Sequence, residues 1–206
     1  RLALRNKGAQ NMTPHQLVMT ATPIPRTLAM SAYGDLDTSV IDELPPGRTP
    51  IQTVTIPLDR REEVLQRIAS NCLEGKQAYW VCTLVEESET LDAQAAEATY
   101  LEIKERFPEL NIGLVHGKMK ADEKQTVMQQ FKTNELQLLI ATTVIEVGVD
   151  VPNASIMVIE NAERLGLSQL HQLRGRVGRG AKASFCALLY KSPLSQNGQE
   201  RLRIMR

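Results

Sequence analysis

Short apolar segments alternate with amphipathic segments along the chain from residue 51 onwards. Six of the apolar segments have the length and the Val, Ile and Leu content of buried strands. These predicted strands are Ile51–Ile56, Ala78–Val85, Asn111–His116, Leu136–Ala141, Ser155–Glu160 and Ser184–Tyr190. Between them, apolar residues recur every three or four positions, which predicts helices. These helices cover residues 64–73, Leu91–Arg106, Ala121–Phe131 and Gln169–Val177. The alternation predicts an α/β fold, with a mostly parallel sheet and helices on both faces.

The pattern before residue 51 is less regular. It predicts two strands and one helix, at His15–Ala21, Leu36–Ile41 and from about Pro25 to Gly34. Leu44–Pro50 contains three prolines and one glycine, a composition typical of a linker. We therefore predict four parts: the end of one domain (1–43), a linker (44–50), a second domain (51–190) and the start of a helical element (191–206).

Positive charge is concentrated near the C-terminus, although the formal net charge of the 206 residues is zero. Nine Lys or Arg residues and a single acid, Glu200, lie between Arg164 and Arg206. Zero net charge argues against a protein that binds nucleic acid by bulk charge alone. The local cluster can still contact phosphate groups.

The three cysteines, Cys72, Cys82 and Cys186, are too widely spaced for a zinc site or a disulfide framework. We predict buried, reduced thiols and no metal site. No signal peptide and no apolar run of membrane length is present, which indicates a cytoplasmic protein. The chain begins without a methionine and stops within a helical pattern, so we expect a piece of a larger protein.

Polar residues follow three of the predicted strands. They are Thr83, His116 with Gly117, and Thr142 with Thr143. Ligands of an open parallel sheet bind at the carboxyl ends of its strands. Hydroxyl groups, turn N–H groups and an imidazole at one edge suit the phosphates of a nucleic-acid backbone. The alternative for each threonine is an ordinary helix cap.

The residues after Thr143 form a second candidate site. Gly148 allows a left-handed turn or close approach of a ligand. Asp150, two residues later, can accept a hydrogen bond from a ribose or orient an arginine. The alternative is an acidic loop between two strands.

The segment QLHQLRGRVGRG, residues 169–180, contains three arginines, three glycines and no acid. A helix through it would place Arg176 and Arg179 side by side, because they are three residues apart. Gly175 and Gly178 would then allow another backbone to come close. Two adjacent guanidinium groups can bind a phosphoryl group and stabilise the charge that develops during its transfer. The alternative is a solvated basic helix.

The sequence contains no complete nucleotide-binding loop. The consensus is GxxxxGK[ST], and the nearest segment, GLVHGKM at Gly113–Met119, is too short and lacks the hydroxyl. The acid Asp42 precedes the proline-rich linker and is more typical of a capped turn than of a magnesium site. The phosphate bound by Arg176 and Arg179 is therefore expected to be held mainly by another part of the protein.

Three segments resemble motifs of superfamily 2 helicases. TATPIPRT (Thr20–Thr27) resembles motif III, ATTVIEVGVDVP (Ala141–Pro152) motif V and QLRGRVGR (Gln172–Arg179) motif VI. Their combination is similar to two families, the RecG branch-migration helicases and the Mfd transcription-repair coupling translocases. DLDTSVIDELPPGRTPI, across the predicted linker, is more similar to RecG.

The resemblance implies that residues 51–190 form the second RecA-like domain of a P-loop NTPase-type motor. The residues after 190 would begin the helical hairpin that follows motif VI in both families. ATP and Mg²⁺ would be held mainly by the first helicase domain, which carries the Walker motifs. The parent protein would be an ATP-dependent translocase that remodels replication forks and Holliday junctions in recombination and repair, with a separate wedge domain that splits the fork.

The resemblance also implies roles for residues of motifs III and V. Thr20 and Thr22 would couple ATP hydrolysis to DNA movement. Thr142 and Thr143 would contact DNA phosphates. The nucleotide would be faced by Gly148 and Asp150.

In motif VI, the resemblance makes Arg179 the arginine finger and Arg176 its partner, with Gln172 beside them. His116 and Gly117 resemble an HG turn that approaches DNA. The absence of Walker motifs and of the wedge domain implies that the chain alone is inactive.

Three other interpretations remain open from the sequence. An Mfd-type translocase would keep most of these site residues. A non-catalytic basic α/β domain that binds nucleic-acid phosphates would need no nucleotide. A Rossmann-type dehydrogenase is disfavoured, because no GxGxxG follows a predicted strand.

Overall fold

The computed structural model describes residues 49–83, 89–142, 151–180 and 183–206, together with Leu17, Met19, Ser39 and Ile41. Backbone contacts divide the chain into two units, Arg1–Asp42 and Glu43–Arg206, and all described elements belong to the second. Apart from those four residues, the helix and strands predicted before residue 49 lie outside the described residues. The four-part domain division stays a prediction.

Six strands and five helices form the described part of the second unit. The strands are β1 (Gln52–Pro57), β2 (Gln77–Val81), β3 (Ile112–Val115), β4 (Leu138–Ala141), β5 (Ala154–Ile159) and β6 (Phe185–Tyr190). The helices are α1 (Arg61–Leu73), α2 (Glu89–Arg106), α3 (Ala121–Lys132), α4 (Leu167–Arg174) and α5 (Gln196–Met205). Short 3-10 turns occupy Leu58–Arg60 and Ala162–Arg164. All six strands lie within about four residues of their predicted bounds.

The six strands form one parallel sheet in the order β1-β6-β5-β2-β4-β3. Every residue of β2, β4 and β5 is buried. Strands covered on both faces have nearly continuous apolar sequences, which is why these three are conspicuous in the sequence. The predicted α/β fold with a mostly parallel sheet is confirmed.

Two apolar cores lie on opposite faces of the sheet. One joins β-strand side chains such as Tyr79 and Met157 to α3, α4 and α5, and the rings of Tyr79 and Phe131 pack edge to face, with centroids 4.9 Å apart. The other joins alternate side chains, such as Trp80 and Ile140, to α1 and α2. Neighbouring residues of each strand therefore contribute to different cores. Helices on both faces of the sheet are confirmed.

The end of α1 shows how local sequence sets an element boundary. Gly75 has φ +87°, a left-handed conformation that a glycine adopts without steric cost. Its N–H donates to the carbonyl of Cys72, and the N–H of Lys76 donates to that of Asn71. These bonds satisfy carbonyls that the helix leaves without partners. Gly75 therefore ends this helix, as a glycine in the left-handed conformation commonly does.

Cys72, Cys82 and Cys186 are free and buried, as predicted. Burial raises the pKa of each thiol to about 12. Because the thiolate is the reactive form, we expect all three to resist a thiol reagent at pH 8 and to react together on unfolding in urea. Time-resolved labelling followed by mass spectrometry measures this. Rapid labelling of any one cysteine under native conditions would contradict its burial.

Within the described residues, no helix is both long enough and apolar enough to cross a membrane.

Candidate functional site

The carboxyl ends of three neighbouring strands lie side by side along one edge of the sheet. Strand β4 lies between β2 and β3, and Ala141 is in register with both Val81 and Val115. The residues that follow these strands are Thr83, Thr142 and His116. The strand order therefore brings the three predicted DNA-contacting positions to one edge, which we call the strand-end rim.

His116 is nearly buried at this rim, with 8% of its surface exposed. Its Nε2 lies 3.3 Å from Oε1 of Glu97 on α2. Its Nδ1 is buried and has no hydrogen-bond partner among the described residues. The carbonyl of Gly117 accepts a hydrogen bond from Nζ of Lys124 at 2.7 Å, which holds the turn against α3. Glu97 therefore orients the ring, and Nδ1 can accept a hydrogen bond from a further partner.

Thr142, next to His116 at the rim, is 2% exposed. Its N–H donates to the carbonyl of Val115 at 3.1 Å, which joins the ends of β3 and β4. In the described part of the chain, its Oγ1 has no hydrogen-bond partner. Buried polar atoms without partners are costly, so Thr142 and His116 are the strongest candidates at the rim for contact with a polar ligand. Their DNA-binding role stays a prediction.

Thr83 has a different environment. Its Oγ1 donates a hydrogen bond to the carbonyl of Glu160, and its own carbonyl accepts from Nδ2 of Asn161 at 2.9 Å. Asn161 has φ +48°, a left-handed conformation that asparagine tolerates. These bonds tie the end of β2 to the end of β5. They favour a structural role for the Thr83 hydroxyl, and its predicted DNA contact remains untested.

A charged cluster that was not predicted from the sequence lies next to the ends of β2 and β5. Oε1 of Glu160 accepts hydrogen bonds from Nε of Arg61 at 2.5 Å and from Nε1 of Trp80 at 2.9 Å. The Arg61 guanidinium also donates to Glu102 at 2.9 Å and lies over the Trp80 ring, 5.4 Å from its centroid. Burial alone lowers the pKa of Arg61, but Glu102 and Glu160 outweigh burial and raise it above its ordinary value. The cluster holds the first residue of α1 against β2, α2 and the end of β5.

A helix does form in the segment that contains the predicted phosphate-binding arginines, but it ends before Arg176, so the prediction that Arg176 and Arg179 lie on one helical face was wrong. Helix α4 ends at Arg174, three residues before the predicted end. The N–H groups of Arg176 and Val177 donate to residues three positions back, as in a tight turn. Gly178 then has φ +76°, which a right-handed helix cannot contain. Arg176 and Arg179 therefore lie on a turn after α4 and do not share a helical face.

The glycines of this segment have roles that differ from those predicted. A Cβ on Gly178 would lie 2.8 Å from Cγ1 of Ile51, and a Cβ on Gly180 would lie 2.5 Å from the carbonyl oxygen of Pro152. At Gly175, by contrast, the nearest atoms are carbonyl oxygens of His171 and Gln172 in the preceding helix. Close approach of another backbone therefore occurs at Gly180, not at Gly175 or Gly178. We call residues 175–180 the arginine turn.

The arginine turn follows directly from the exposed end of α4. Gln172 is exposed on that helix, and Arg176 and Arg179 are partly exposed. Nε of Arg179 donates to the carbonyl of Gly175 at 3.2 Å, so the side chain folds back over the turn. The arrangement carries two guanidinium groups and the amide of Gln172, donors that suit phosphate oxygens.

The third arginine of the segment, Arg174, serves a structural purpose. It donates to the carbonyl of Met205 at 2.9 Å and contacts Nδ1 of His171 at 3.1 Å. Burial and, to a smaller extent, the charge of Arg174 lower the pKa of His171, which favours the neutral form of this ring. Arg174 therefore joins the end of α4 to the end of α5.

Five of the predicted site residues fall outside the described part of the chain. They are Thr20, Thr22, Thr143, Gly148 and Asp150. The described residues contain no group of three or more His, Cys, Asp or Glu that could hold a metal ion. In the described ranges, the arginine turn carries donors for phosphate oxygens, and a Mg²⁺–nucleotide complex would need further ligands.

Comparison with known proteins identifies the fold. The profile of the helicase conserved C-terminal domain matches residues 59–181. The yeast protein Dbp5 bound to RNA and ADP BeF3 shares the fold, with a TM-score of 0.62 at 15% identity over 90% of this chain and 46% of that one. The sheet and its flanking helices are therefore the RecA-like fold of helicase C-terminal domains.

Relatives with higher identity are ATP-dependent DNA helicases named RecG. The protein of Escherichia coli strain K12 is 70% identical over 100% of this chain and 30% of its own length, and that of Bacillus subtilis is 52% identical over the same shares. A structure of RecG bound to a three-way DNA junction has a TM-score of 0.74 and 45% identity, covering 89% of this chain and 24% of that one.

The chain spans about 30% of the length of these RecG proteins. Identity at this level along the whole chain favours the RecG resemblance over the Mfd alternative. The chain therefore belongs to the helicase conserved C-terminal domain family, and the relatives that are 70% identical to it are RecG helicases.

Proposed function

We propose that the chain is the second motor domain of an ATP-dependent DNA helicase that acts on branched DNA. The 70% identity to RecG of Escherichia coli over the entire chain carries this proposal. The parent protein would move along DNA and migrate branches at stalled forks and Holliday junctions, in recombination and repair. Its site of action would be bacterial DNA in the cytoplasm, in association with the nucleoid.

The nucleotide would bind between this domain and the first helicase domain of the same parent protein. That domain would supply the Walker motifs and hold ATP and Mg²⁺. Arg179 would approach the γ-phosphate and stabilise the charge that develops during hydrolysis, with Arg176 and Gln172 beside it. Gly148 and Asp150 would face the same nucleotide. The partly exposed arginine turn supports this division, because a guanidinium that completes a site between two domains must reach the surface.

DNA would lie along the strand-end rim. The buried atoms Nδ1 of His116 and Oγ1 of Thr142 support this assignment, because a phosphate oxygen could accept a hydrogen bond from the Thr142 hydroxyl and a bound water could donate one to Nδ1. Gly117, Thr143 and Thr83 would line the same path. Thr20 and Thr22 would couple its movement to ATP hydrolysis. The relative solved on a three-way junction supports branched DNA as the ligand, and the wedge domain of the parent protein would split the fork.

A non-catalytic domain that binds nucleic-acid phosphates is the second candidate function. The nine basic residues between Arg164 and Arg206 and the absence of a GxxxxGK[ST] loop favour it for the chain in isolation. The two functions differ in whether the parent protein couples DNA to ATP turnover.

ATP hydrolysis, measured with and without forked DNA, separates the two functions. We expect the full-length parent to hydrolyse ATP faster when forked DNA is present, and this chain alone to hydrolyse none. The physical reason is that the arginine turn stabilises transferred phosphate but cannot hold Mg²⁺–ATP by itself. Turnover by the purified chain would reveal a complete nucleotide site and contradict the divided one. A parent protein without DNA-stimulated turnover would favour the non-catalytic function.

A further inference from the structure

We propose that Ile51 and Pro152 are positioning residues for Arg179, which they hold in place through the two glycines on either side of it. This inference rests on the proposed role of Arg179 as the arginine finger. It adds two residues that lie outside motif VI and would act through Arg179. Ile51 lies just before β1 and Pro152 just before β5, so they contact the arginine turn from the starts of two different strands.

The first contact is between Ile51 and Gly178. Ile51 precedes β1 and is partly buried against the core formed with α3, α4 and α5. Its Cγ1 and Cδ1 lie so near the backbone of Gly178 that a Cβ there would be 2.8 and 3.0 Å away. The N–H of the next residue, Gln52, donates to the carbonyl of Ser184 at 2.9 Å, which fixes the start of β1. Ile51 therefore limits movement of Gly178 in one direction.

The second contact is between Pro152 and Gly180. The carbonyl oxygen of Pro152 lies 2.5 Å from the position of a Cβ on Gly180, closer than any real Cβ contact. Pro152 follows Val151, which is 1% exposed within the core. The N–H of Ala154, at the start of β5, donates to the carbonyl of Val151 at 3.0 Å and closes this turn. Pro152 is thus anchored on both sides and limits movement of Gly180.

Arg179 lies between these two contacts. Its backbone is bounded by Gly178 at φ +76° and by Gly180 against Pro152. Its side chain bonds to the carbonyl of Gly175 at the start of the same turn. An arginine on a turn has more freedom than one on a helix, yet a finger must meet the γ-phosphate with little error. Misplacement by about 1 Å lowers turnover on the order of 10²-fold. The two supports supply the accuracy that a helix would otherwise provide.

A double-mutant cycle in the full-length helicase tests whether Ile51 acts through Arg179. We expect Ile51→Ala to lower kcat for ATP hydrolysis by about 10-fold, with KM for ATP and binding of forked DNA unchanged. In an Arg179→Ala background, Ile51→Ala should have no further effect on kcat, because the group it positions is gone. Ile51→Val, which keeps the Cγ1 contact, should retain most of the ATPase activity. Val54→Ala, which shortens an exposed side chain of β1, is the matched control and should leave kcat unchanged.

Gly180→Ala tests the second support independently. Its Cβ cannot be accommodated without a shift of the Pro152 carbonyl or of the arginine turn, so we expect a loss of kcat without a change in KM for ATP. Gly166→Ala is the control, because a Cβ there meets nothing closer than 3.7 Å. Thermal unfolding, measured on every variant, sets an assay temperature at which all are folded.

The outcomes separate this inference from the proposed function. If Arg179→Ala lowers kcat but Ile51→Ala lowers it by the same factor in both backgrounds, Ile51 acts on stability alone and the inference is overturned. Unchanged kcat in both Ile51→Ala and Gly180→Ala would also overturn it, and the finger would stand. Unchanged kcat in Arg179→Ala would remove the finger itself, and the inference with it.

Discussion

Replacing Arg179 with alanine in the full-length helicase is expected to lower DNA-stimulated ATP turnover by about 10³-fold or more, the range typical of arginine fingers. The guanidinium would contact the transferred phosphoryl group where negative charge develops. In the alanine variant, water could donate hydrogen bonds there but would supply no fixed positive charge. Binding of forked DNA should change little, because Arg179 would contact the nucleotide. Steady-state ATP hydrolysis and fluorescence anisotropy of a labelled fork measure the two effects.

Two further variants make this test specific. Arg179→Lys keeps the charge but loses the planar group with several donors, so we expect a large loss of kcat with this variant as well. Arg67→Ala removes an exposed guanidinium from α1, far along the sequence from the arginine turn, and should leave ATP turnover unchanged. Loss of DNA binding in Arg179→Ala with intact DNA-stimulated ATP hydrolysis would contradict the finger and favour a nucleic-acid contact.

Most of the fold was predictable because the strands are short, apolar and regularly interrupted. The sheet order was not, since β1 pairs with β6, more than 120 residues later in the chain. The end of α4 was mispredicted for a physical reason. Val177 continues the apolar spacing of Leu170 and Leu173 and is as buried as they are, although the helix has already ended. Apolar spacing indicates which residues are buried, not which are helical. A turn that packs on the core can therefore continue the spacing after the helix has ended.

The residues of the candidate site that belong to a sequence motif could be predicted. Those that reach the site only by packing could not. His116, Thr142 and Arg179 are marked by their neighbours in the sequence. The supports of Arg179 are not, because Ile51 and Pro152 are ordinary apolar residues that meet the arginine turn only after the sheet has formed. Gly178 and Gly180 are signals of close contacts, but a glycine in the sequence does not name its partner.

The cluster around Glu160 is the same kind of feature, since its partners Arg61 and Trp80 lie 99 and 80 positions away in the sequence. We expect Glu160→Ala to lower the free energy of unfolding of this domain by about 3 kcal/mol, because it leaves the Trp80 N–H and part of the Arg61 charge buried without a partner. Only 12% of the Glu160 side chain is exposed, so water cannot replace the carboxylate fully.

Urea unfolding of the chain, followed by fluorescence of Trp80, its only tryptophan, measures this loss. Glu102→Ala is the matched control. It removes the other carboxylate that contacts Arg61, but the Glu102 side chain is 37% exposed, so we expect a loss of less than about 1 kcal/mol. Glu160→Gln keeps an acceptor for Trp80 and removes only the charge, so its loss should lie between the other two. Equal losses of less than about 1 kcal/mol for Glu160→Ala and Glu102→Ala would mean that burial of the carboxylate adds nothing, and that α1 is held to the sheet by its apolar face.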